Sequence, residues 1–369
     1  MNERVIVALS GGVDSAVAAL LLRRAGRDVE ALHMTNWDED EAGYCTAAAD
    51  WQDARRVADE LGISLHRVSF AAEYRERVFS QFLADYAAGL TPNPDILCNR
   101  EVKFGACLDY MRRLGGRWLA TGHYARIGTA DGRQQLLRAR DPDKDQSYFL
   151  QQMPRAALAA TLFPLGALTK GEVRELARRG GLPVHDRPDS TGICFIGERP
   201  FRAFLATYLK PQPGPIESAD GEPLGRHDGL MYHTIGQRHG LRIGGRRQHA
   251  GTPWYVARKD LARNALIVVQ GHDHPLLRVA ALSVGPVAWL APAPPARIEC
   301  SVQVRHRQAA VPCRLEWTTG GAQVWLSTAL RGVAPGQHAA FYAGDECLGG
   351  GMIVAAESGA GAHLDSSAA

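Results

Sequence analysis

No apolar run in the 369 residues approaches the ~20 that a membrane-spanning helix needs, so no membrane association is expected. The opening residues mix acid and base and enter a strand at once, so no signal peptide is expected either, and the cytoplasm is the expected compartment. Cys-x-x-Cys pairs are missing. The seven cysteines stand at 45, 98, 107, 194, 300, 313 and 347, which excludes a zinc ribbon and leaves no structural zinc or other resident metal expected. An odd count also argues against a framework of structural disulfides and leaves some thiols for reactivity. Charge of one sign is scarce in net terms. Lys and Arg number 42 against 39 Asp and Glu, a balance of +3, too small by itself to imply a nucleic-acid partner. Its distribution is uneven, however. Arg238, Arg242, Arg246, Arg247, Arg258, Lys259 and Arg263 crowd one stretch against a single acid, Asp260. A solvated loop face and a phosphate-tracking patch both fit that pattern.

What is present begins at Val5-Ile6-Val7-Ala8-Leu9-Ser10-Gly11-Gly12-Val13-Asp14-Ser15. A β-branched run feeds a Ser-Gly-Gly turn, and the residues after it read as a helix. The first turn of a helix leaves about four N–H donors unpaired and carries about half a positive charge. Small residues let an anion approach them, most often a phosphate. No Gly-Lys-Ser/Thr follows, so this is not a Walker loop. Without that lysine on the terminal phosphates, γ-phosphoryl transfer is not the chemistry indicated.

A chain of this length is expected to form two or three domains. The first ~125 residues alternate strand and helix, as a doubly wound parallel sheet requires. The strands expected are Val29 to Met34, Ile63 to Phe70 and Trp118 to His123. The helices expected are Ala47 to Leu61, Tyr74 to Ala88 and Val102 to Leu114. Two prolines in Thr91-Pro92-Asn93-Pro94-Asp95-Ile96-Leu97-Cys98-Asn99-Arg100 predict a stiff extended loop there. Ligands of open α/β sheets sit beyond the C-terminal ends of the strands, where Ser10 to Ser15, Met34 and Gly122-His123 fall. Asp131-Gly132 predicts a hairpin, and Lys170 to Arg179 a helix closed by Gly180-Gly181. The expected division is 1–210 for the nucleotide domain, 211–275 for a small mostly-β domain and 276–356 for a β-barrel. Residues 357–369, small and polar, are expected to form a disordered tail.

Among the thiols, Cys98 follows the proline loop and is flanked by Asn99, Arg100 and Lys103. Nearby cations and a helix start at Glu101 are expected to lower its pKa from about 8.5 and so activate it. Cys194 lies on a second Gly-containing loop, Asp189-Ser190-Thr191-Gly192-Ile193-Cys194. Cys107, Cys300 and Cys313 read as core, and Cys45 and Cys347 lean that way.

These segments resemble the bacterial tRNA-specific 2-thiouridylase family of the ATP pyrophosphatase (PP-loop) group. Besides the Ser-Gly-Gly loop, the match includes Thr91 to Cys98, Ala120 to Tyr124, Lys144 to Leu150, Asp189 to Arg199, Gly229 to Arg238 and Leu348 to Gly351. The pair Pro-Asn-Pro-Asp-Ile-Leu-Cys and Asp-Ser-Thr-Gly-Ile-Cys-Phe-Ile-Gly is the specific part. The resemblance implies sulfur insertion at C2 of the wobble uridine of tRNAs for Lys, Glu and Gln. It implies ATP, with Mg2+, held by Ala8, Leu9, Ser10, Gly11, Gly12, Val13, Asp14 and Ser15, with Met34 and Gly122 near the adenosine. Cys194 would carry a persulfide delivered by a sulfur-relay carrier protein or a cysteine desulfurase. Cys98 would be the second thiol, forming a transient disulfide with Cys194. Asn93, Pro94 and Asp95 match the segment that meets the target base, with Asp95 a proton donor or acceptor, and the base is expected to flip out of its stack. Lys144, Asp145, Gln146, Arg305, His306 and Gln337 match tRNA-contacting positions. His123, at the crevice rim, is a further expected contact. His306 stands where a tyrosine is expected, which favours phosphate contact over stacking.

Two other functions compete. An amidotransferase-type synthetase would share the loop but need neither loop thiol, and an RNA-binding module using nucleotide as a switch would tolerate losing both. An iron–sulfur cluster on two cysteines and an acid such as Asp95 is disfavoured by the lack of a third clustered cysteine.

Overall fold

The computed structural model describes residues 3–37, 47–189, 201–243, 251–292 and 294–358. Five parallel strands form the first sheet in the order β3-β2-β1-β4-β7. They are β1 (Val5–Ala8), β2 (Val29–Thr35), β3 (Leu65–Ser69), β4 (Trp118–Ala120) and β7 (Thr161–Leu162). Val5, Ile6 and Val7 are wholly buried, as a central strand covered on both faces requires. Alternation divides them. Ile6 packs with Leu32 and Leu119 on one face, while Val5 and Val7 pack with Ala31 and Ala120 on the other. On that second face α1 (Val13–Arg24) approaches closely because Ala16, Ala18 and Ala19 are small and fully buried. Helix α2 (Ala47–Leu61) and the helix Lys170–Arg179 cover the same face. The chain runs outward from β1 to β2 and β3, then crosses to β4 on the other side. That reversal opens a crevice at the strand ends, where such sheets hold ligands.

The first face is covered by two helices with irregular turns. Helix α3 comprises Ala71–Tyr74, a wider-turned stretch Arg75–Phe79 and Ser80–Ala87. Helix α4 comprises Pro94–Leu97, a wider-turned stretch Cys98–Ala106 and Cys107–Arg113. The stiff extended loop expected through Cys98 is therefore mostly helix. Pro94 occupies the first helical turn, where its missing N–H is not needed and its fixed φ suits the start. The prolines begin a helix rather than prevent one.

The hairpin expected at Asp131-Gly132 is present as β5 (Arg126–Ala130) and β6 (Arg133–Leu137), with both turn residues at positive φ. Its free edge does not stay in the nucleotide domain. Leu137 and Leu136 pair with Glu346 and Cys347 of β18 (Glu346–Ser358). A middle sheet of β8 (Gly214–Ser218), β9 (Pro223–His227), β10 (Trp254–Asp260) and β11 (Ala265–Gln270) has the order β10-β11-β8-β9. The last strands close a six-stranded antiparallel barrel. β12 (Arg278–Val284), β16 (Gly321–Arg331), β15 (Val311–Thr318), β14 (Arg297–Gln303), β17 (His338–Ala343) and β18 pair in that order, β18 returns to β12, and the short β13 (Ala288–Trp289) adds to β18. Closure extends through Glu357 and Ser358, which pair with Ala281 and Val279. Those two residues complete the barrel instead of beginning the tail, and the remainder of the tail lies outside the described residues.

Three parts of the chain meet at Thr91. Its N–H donates to the Pro335 carbonyl at 2.9 Å, its carbonyl accepts from the Gln337 side chain at 2.7 Å, and its hydroxyl reaches Thr234 Oγ1 at 3.5 Å. Gly336 takes φ +92 there, and a Cβ on it would stand 2.7 Å from Thr91 N.

Candidate active site

The Ser-Gly-Gly turn is closed by its own hydroxyls. Ser10 N–H donates to Ser15 Oγ at 3.2 Å, and Ser15 Oγ donates to the Gly12 carbonyl at 3.1 Å. Gly11 adopts φ +86, a left-handed conformation that favours glycine. Arg187 braces the turn from behind, donating to the Gly11 carbonyl at 3.0 Å and pairing with Asp50 and Asp53. Gly12 caps α1 with no side-chain bond, so the first-turn N–H groups face the crevice. The end of β4 closes against this turn, because a Cβ on Gly122 would stand 2.7 Å from Ser15 N and 2.8 Å from Asp14 C. Ala8 to Ser15, Met34 and Gly122 thus gather at the ends of three adjacent strands.

Sequence reasoning missed the charges around this turn. Lys170 Nζ donates to both oxygens of Asp14, at 2.7 and 2.9 Å, and pairs with Asp189 at 2.7 Å. Tyr124 also donates to Asp14, at 2.9 Å. Asp189 further accepts from Lys144 at 2.7 Å and Arg174 at 2.9 Å. Burial alone would raise the Asp189 pKa, but the Lys144 and Lys170 hydrogen bonds and charges outweigh it and hold it at about 2. Two lysines and an arginine beside an anion-binding turn are held by two aspartates that phosphates can displace. The signal was legible in part. Thr169 and Glu172 form a capping box, and Lys170 at the start of that helix places a cation where the dipole disfavours it. Lys170→Ala is expected to weaken ATP binding by about tenfold or more, the worth of one charge-assisted hydrogen bond, as read by calorimetric titration.

Cys98 is fully buried inside α4. Its thiol is pushed up to about 11 by burial, with Lys103 opposing and Asp95 adding to the rise. The expectation of a lowered pKa at a helix start is overturned: helix α4 has already begun at Pro94, so Cys98 has no exposed first-turn N–H groups. Asn36, two residues beyond Met34, donates to its sulfur at 3.9 Å. Asp95 lies one turn earlier, and its Oδ1 is buried without a hydrogen-bond partner among the described residues. Asn93 bonds the Tyr148 hydroxyl, which also donates to the barrel carbonyl of His338 at 3.1 Å. Cys194 lies outside the described residues. Of the other thiols, Cys107, Cys313 and Cys347 are buried and Cys300 half-buried; Cys45 also lies outside the described residues.

The positions matched to RNA contacts divide by environment. Lys144 is partly exposed at the crevice. Asp145 is buried, accepting from Ala139 N, Ser147 N, Ser147 Oγ and Arg138. Gln146 accepts from Tyr124 N at 2.9 Å. His123 is buried between Phe104 and Phe163, with Nδ1 2.7 Å from Thr121 Oγ1, and burial lowers its pKa well below the usual value. Arg305 donates to the Gly332 carbonyl at 3.0 Å, and the His306 ring lies 4.6 Å from that of Phe149. Gln337 braces Thr91, as described above. In the basic stretch, Lys259 turns inward to the Gly89 carbonyl at 2.8 Å, and burial lowers its pKa to about 8. Arg246 and Arg247 lie outside the described residues.

Among the described residues no three His, Cys, Asp or Glu side chains gather as a metal site. No helix among them is long and apolar enough to cross a membrane.

Comparison with known proteins covers nearly the whole chain. Residues 3–198 match the family model described as the tRNA methyl transferase HUP domain, 202–270 the tRNA methyl transferase PRC-barrel domain and 279–353 the aminomethyltransferase beta-barrel domain. The tRNA-specific 2-thiouridylase MnmA of Marinobacter nauticus is 56% identical over 357 residues, 95% of this chain and 91% of that one. Its namesake from Hahella chejuensis is 53% identical over 354 residues, 95% of this chain and 97% of that one. Among solved structures, the U34-tRNA thiolase NcsA from Methanococcus maripaludis with its [4Fe-4S] cluster is 20% identical with a TM-score of 0.35, covering 56% of this chain and 64% of that one. That likeness is too weak to carry function.

Proposed function

The chain belongs to the tRNA-specific 2-thiouridylase family, and from that premise we propose how its residues divide the reaction. It is a tRNA sulfurtransferase that forms 2-thiouridine. The observation that carries this is the 56% identity across 95% of the chain. The wobble uridine of tRNAs for Lys, Glu and Gln is the proposed target, and the cytoplasm the proposed compartment.

ATP lies with its phosphates on the first-turn N–H groups of α1 and its adenosine beside Met34 and Gly122. Lys170 and Arg174 turn from Asp14 and Asp189 to the phosphate oxygens. Asp14 suits Mg2+, which takes one or two carboxylates together with phosphate oxygens; bound there, the ion would neutralise phosphate charge. The uracil 2-oxygen attacks the α-phosphorus, a new P–O bond forms and pyrophosphate leaves. Adenylation turns a poor leaving oxygen into a good one. Sulfur reaches Cys194 as a persulfide, from a relay carrier or a cysteine desulfurase. The Cys98 thiolate attacks the Cys194 sulfur, a Cys98–Cys194 disulfide forms, and the outer sulfur departs as hydrosulfide or, if already bonded to C2, as the thiocarbonyl. AMP leaves with the original oxygen, and an external dithiol reduces the disulfide. Asn93, Pro94 and Asp95 hold the flipped base, with Asp95 handling its proton. The nucleotide domain spans 1–210, the middle domain 211–275 and the barrel 276–356, and Lys144, Arg305 and His306 face the RNA.

The test is ATP-dependent appearance of 2-thiouridine in tRNA supplied with sulfide or a persulfide donor. The native protein should form it, and Cys98→Ser and Cys194→Ser should fail with the persulfide donor. Full activity of Cys194→Ser with that donor would sink the proposed route.

A further inference from the structure

The Cys98 sulfur must ionise to act, and its surroundings oppose that. It is fully buried. The charged and titratable groups acting on it among the described residues all lie on α4: Lys103 favours the anion, Asp95 opposes it, and the Cys107 thiol senses it. From the sheet side comes one neutral group, Asn36, whose Nδ2 lies 3.9 Å from Sγ. Its place is fixed from both neighbours. The Thr35 carbonyl accepts from Phe70 N at 2.8 Å, and Trp37 is 5% exposed, packed edge-on at 5.0 Å from Phe79. Asn36 Oδ1 is buried with no hydrogen-bond partner among the described residues. A buried amide with an unpaired oxygen is costly, and an apolar side chain of similar size would avoid that cost. What the amide contributes in return is the N–H aimed at sulfur.

We infer that Asn36 is the positioning residue of Cys98, its amide N–H holding the sulfur anion at the end of β2, beside the nucleotide crevice. The inference rests on the thiolation reading, in which Cys98 reacts as a thiolate. A donor to an anion stabilises the charged form over the neutral one, so its removal raises the pH at which the thiolate forms.

The experiment compares the native chain with Asn36→Ala and Asn36→Asp. Two readouts are followed against pH: kcat for 2-thiouridine formation, and the ultraviolet thiolate absorbance lost when Cys98→Ser is added to each background. Either variant should lower kcat near neutrality by about tenfold to a hundredfold, the worth of a hydrogen bond to a charged group. The midpoint of thiolate formation should rise by about one to two pH units, more in Asn36→Asp because its carboxylate repels the anion. Alkaline buffer should restore the lost rate, and KM for ATP should stay native. A merely structural role would lower activity without moving the midpoint. An unchanged absorbance midpoint in both variants overturns the inference. Failure of the native chain to form 2-thiouridine overturns the thiolation reading instead, and the absorbance midpoint still reads the Asn36 contact by itself.

Discussion

Replacing Gly122 with alanine should lower kcat/KM for ATP at least about a hundredfold while the sheet stays folded. A methyl group there would stand 2.7 Å from Ser15 N and 2.8 Å from Asp14 C. Both atoms are backbone at the start of α1, so no side-chain rotation relieves the clash. Either β4 or the phosphate-binding turn must shift, and misplacing reacting groups by about 1 Å can cost about a hundredfold in rate. The fold itself should lose only about 1–3 kcal/mol, as overpacking does. Steady-state kinetics with circular dichroism checks the split, and native kinetics would show that the turn tolerates displacement.

The second large effect concerns stability. Asp145→Ala should destabilise the protein by about 3–5 kcal/mol, the cost of removing one partner from a buried charge pair. The carboxylate is 7% exposed and accepts from Ala139 N at 2.9 Å, Ser147 N at 3.3 Å, Ser147 Oγ at 2.7 Å and Arg138 at 3.2 Å. Arg138 in turn bonds Gln303 at 3.1 Å and lies 3.6 Å over the Tyr342 ring, both in the barrel. The loss should therefore appear in urea or thermal unfolding, with weaker RNA binding as its consequence. Native stability combined with lost RNA binding would instead make Asp145 a direct contact. Lys144→Ala, one residue away on the partly exposed side, should leave unfolding nearly unchanged.

Much of this architecture was readable where the physics is local. Helix α2 (Ala47–Leu61) and the helix Lys170–Arg179 follow from apolar spacing and terminal glycines, and the β5–β6 hairpin from Asp-Gly. The phosphate-binding turn was equally plain, because small residues between a buried strand and a helix leave few alternatives. Cys98 was misjudged because proline was read as a breaker. Position decides that matter: at the first turn of a helix proline is tolerated, in the interior it is not. Lys170 and Tyr124 were missed as partners of Asp14, and Asp189 as the second carboxylate on Lys170, because they lie far along the chain and only tertiary folding brings them together. The resemblance matched Asp145 to an RNA-contacting position, and nothing local announces that Arg138 and Ser147 also take its lone pairs.

The hairpin that the nucleotide domain lends to the barrel bears on how the protein is made. Arg133 binds Glu346 across 213 residues of chain, and until β18 is synthesised the outer edge of β6 has no strand beside it. A ribosome emits N-terminal domains first, and they generally fold as they emerge. Here the nucleotide domain carries an open strand edge, a template for wrong pairing, until β18 emerges. The contact from Arg133 to Glu346 can form only after β18 has left the exit tunnel. The domain that binds ATP is thus among the first to begin folding and, at this edge, among the last to finish.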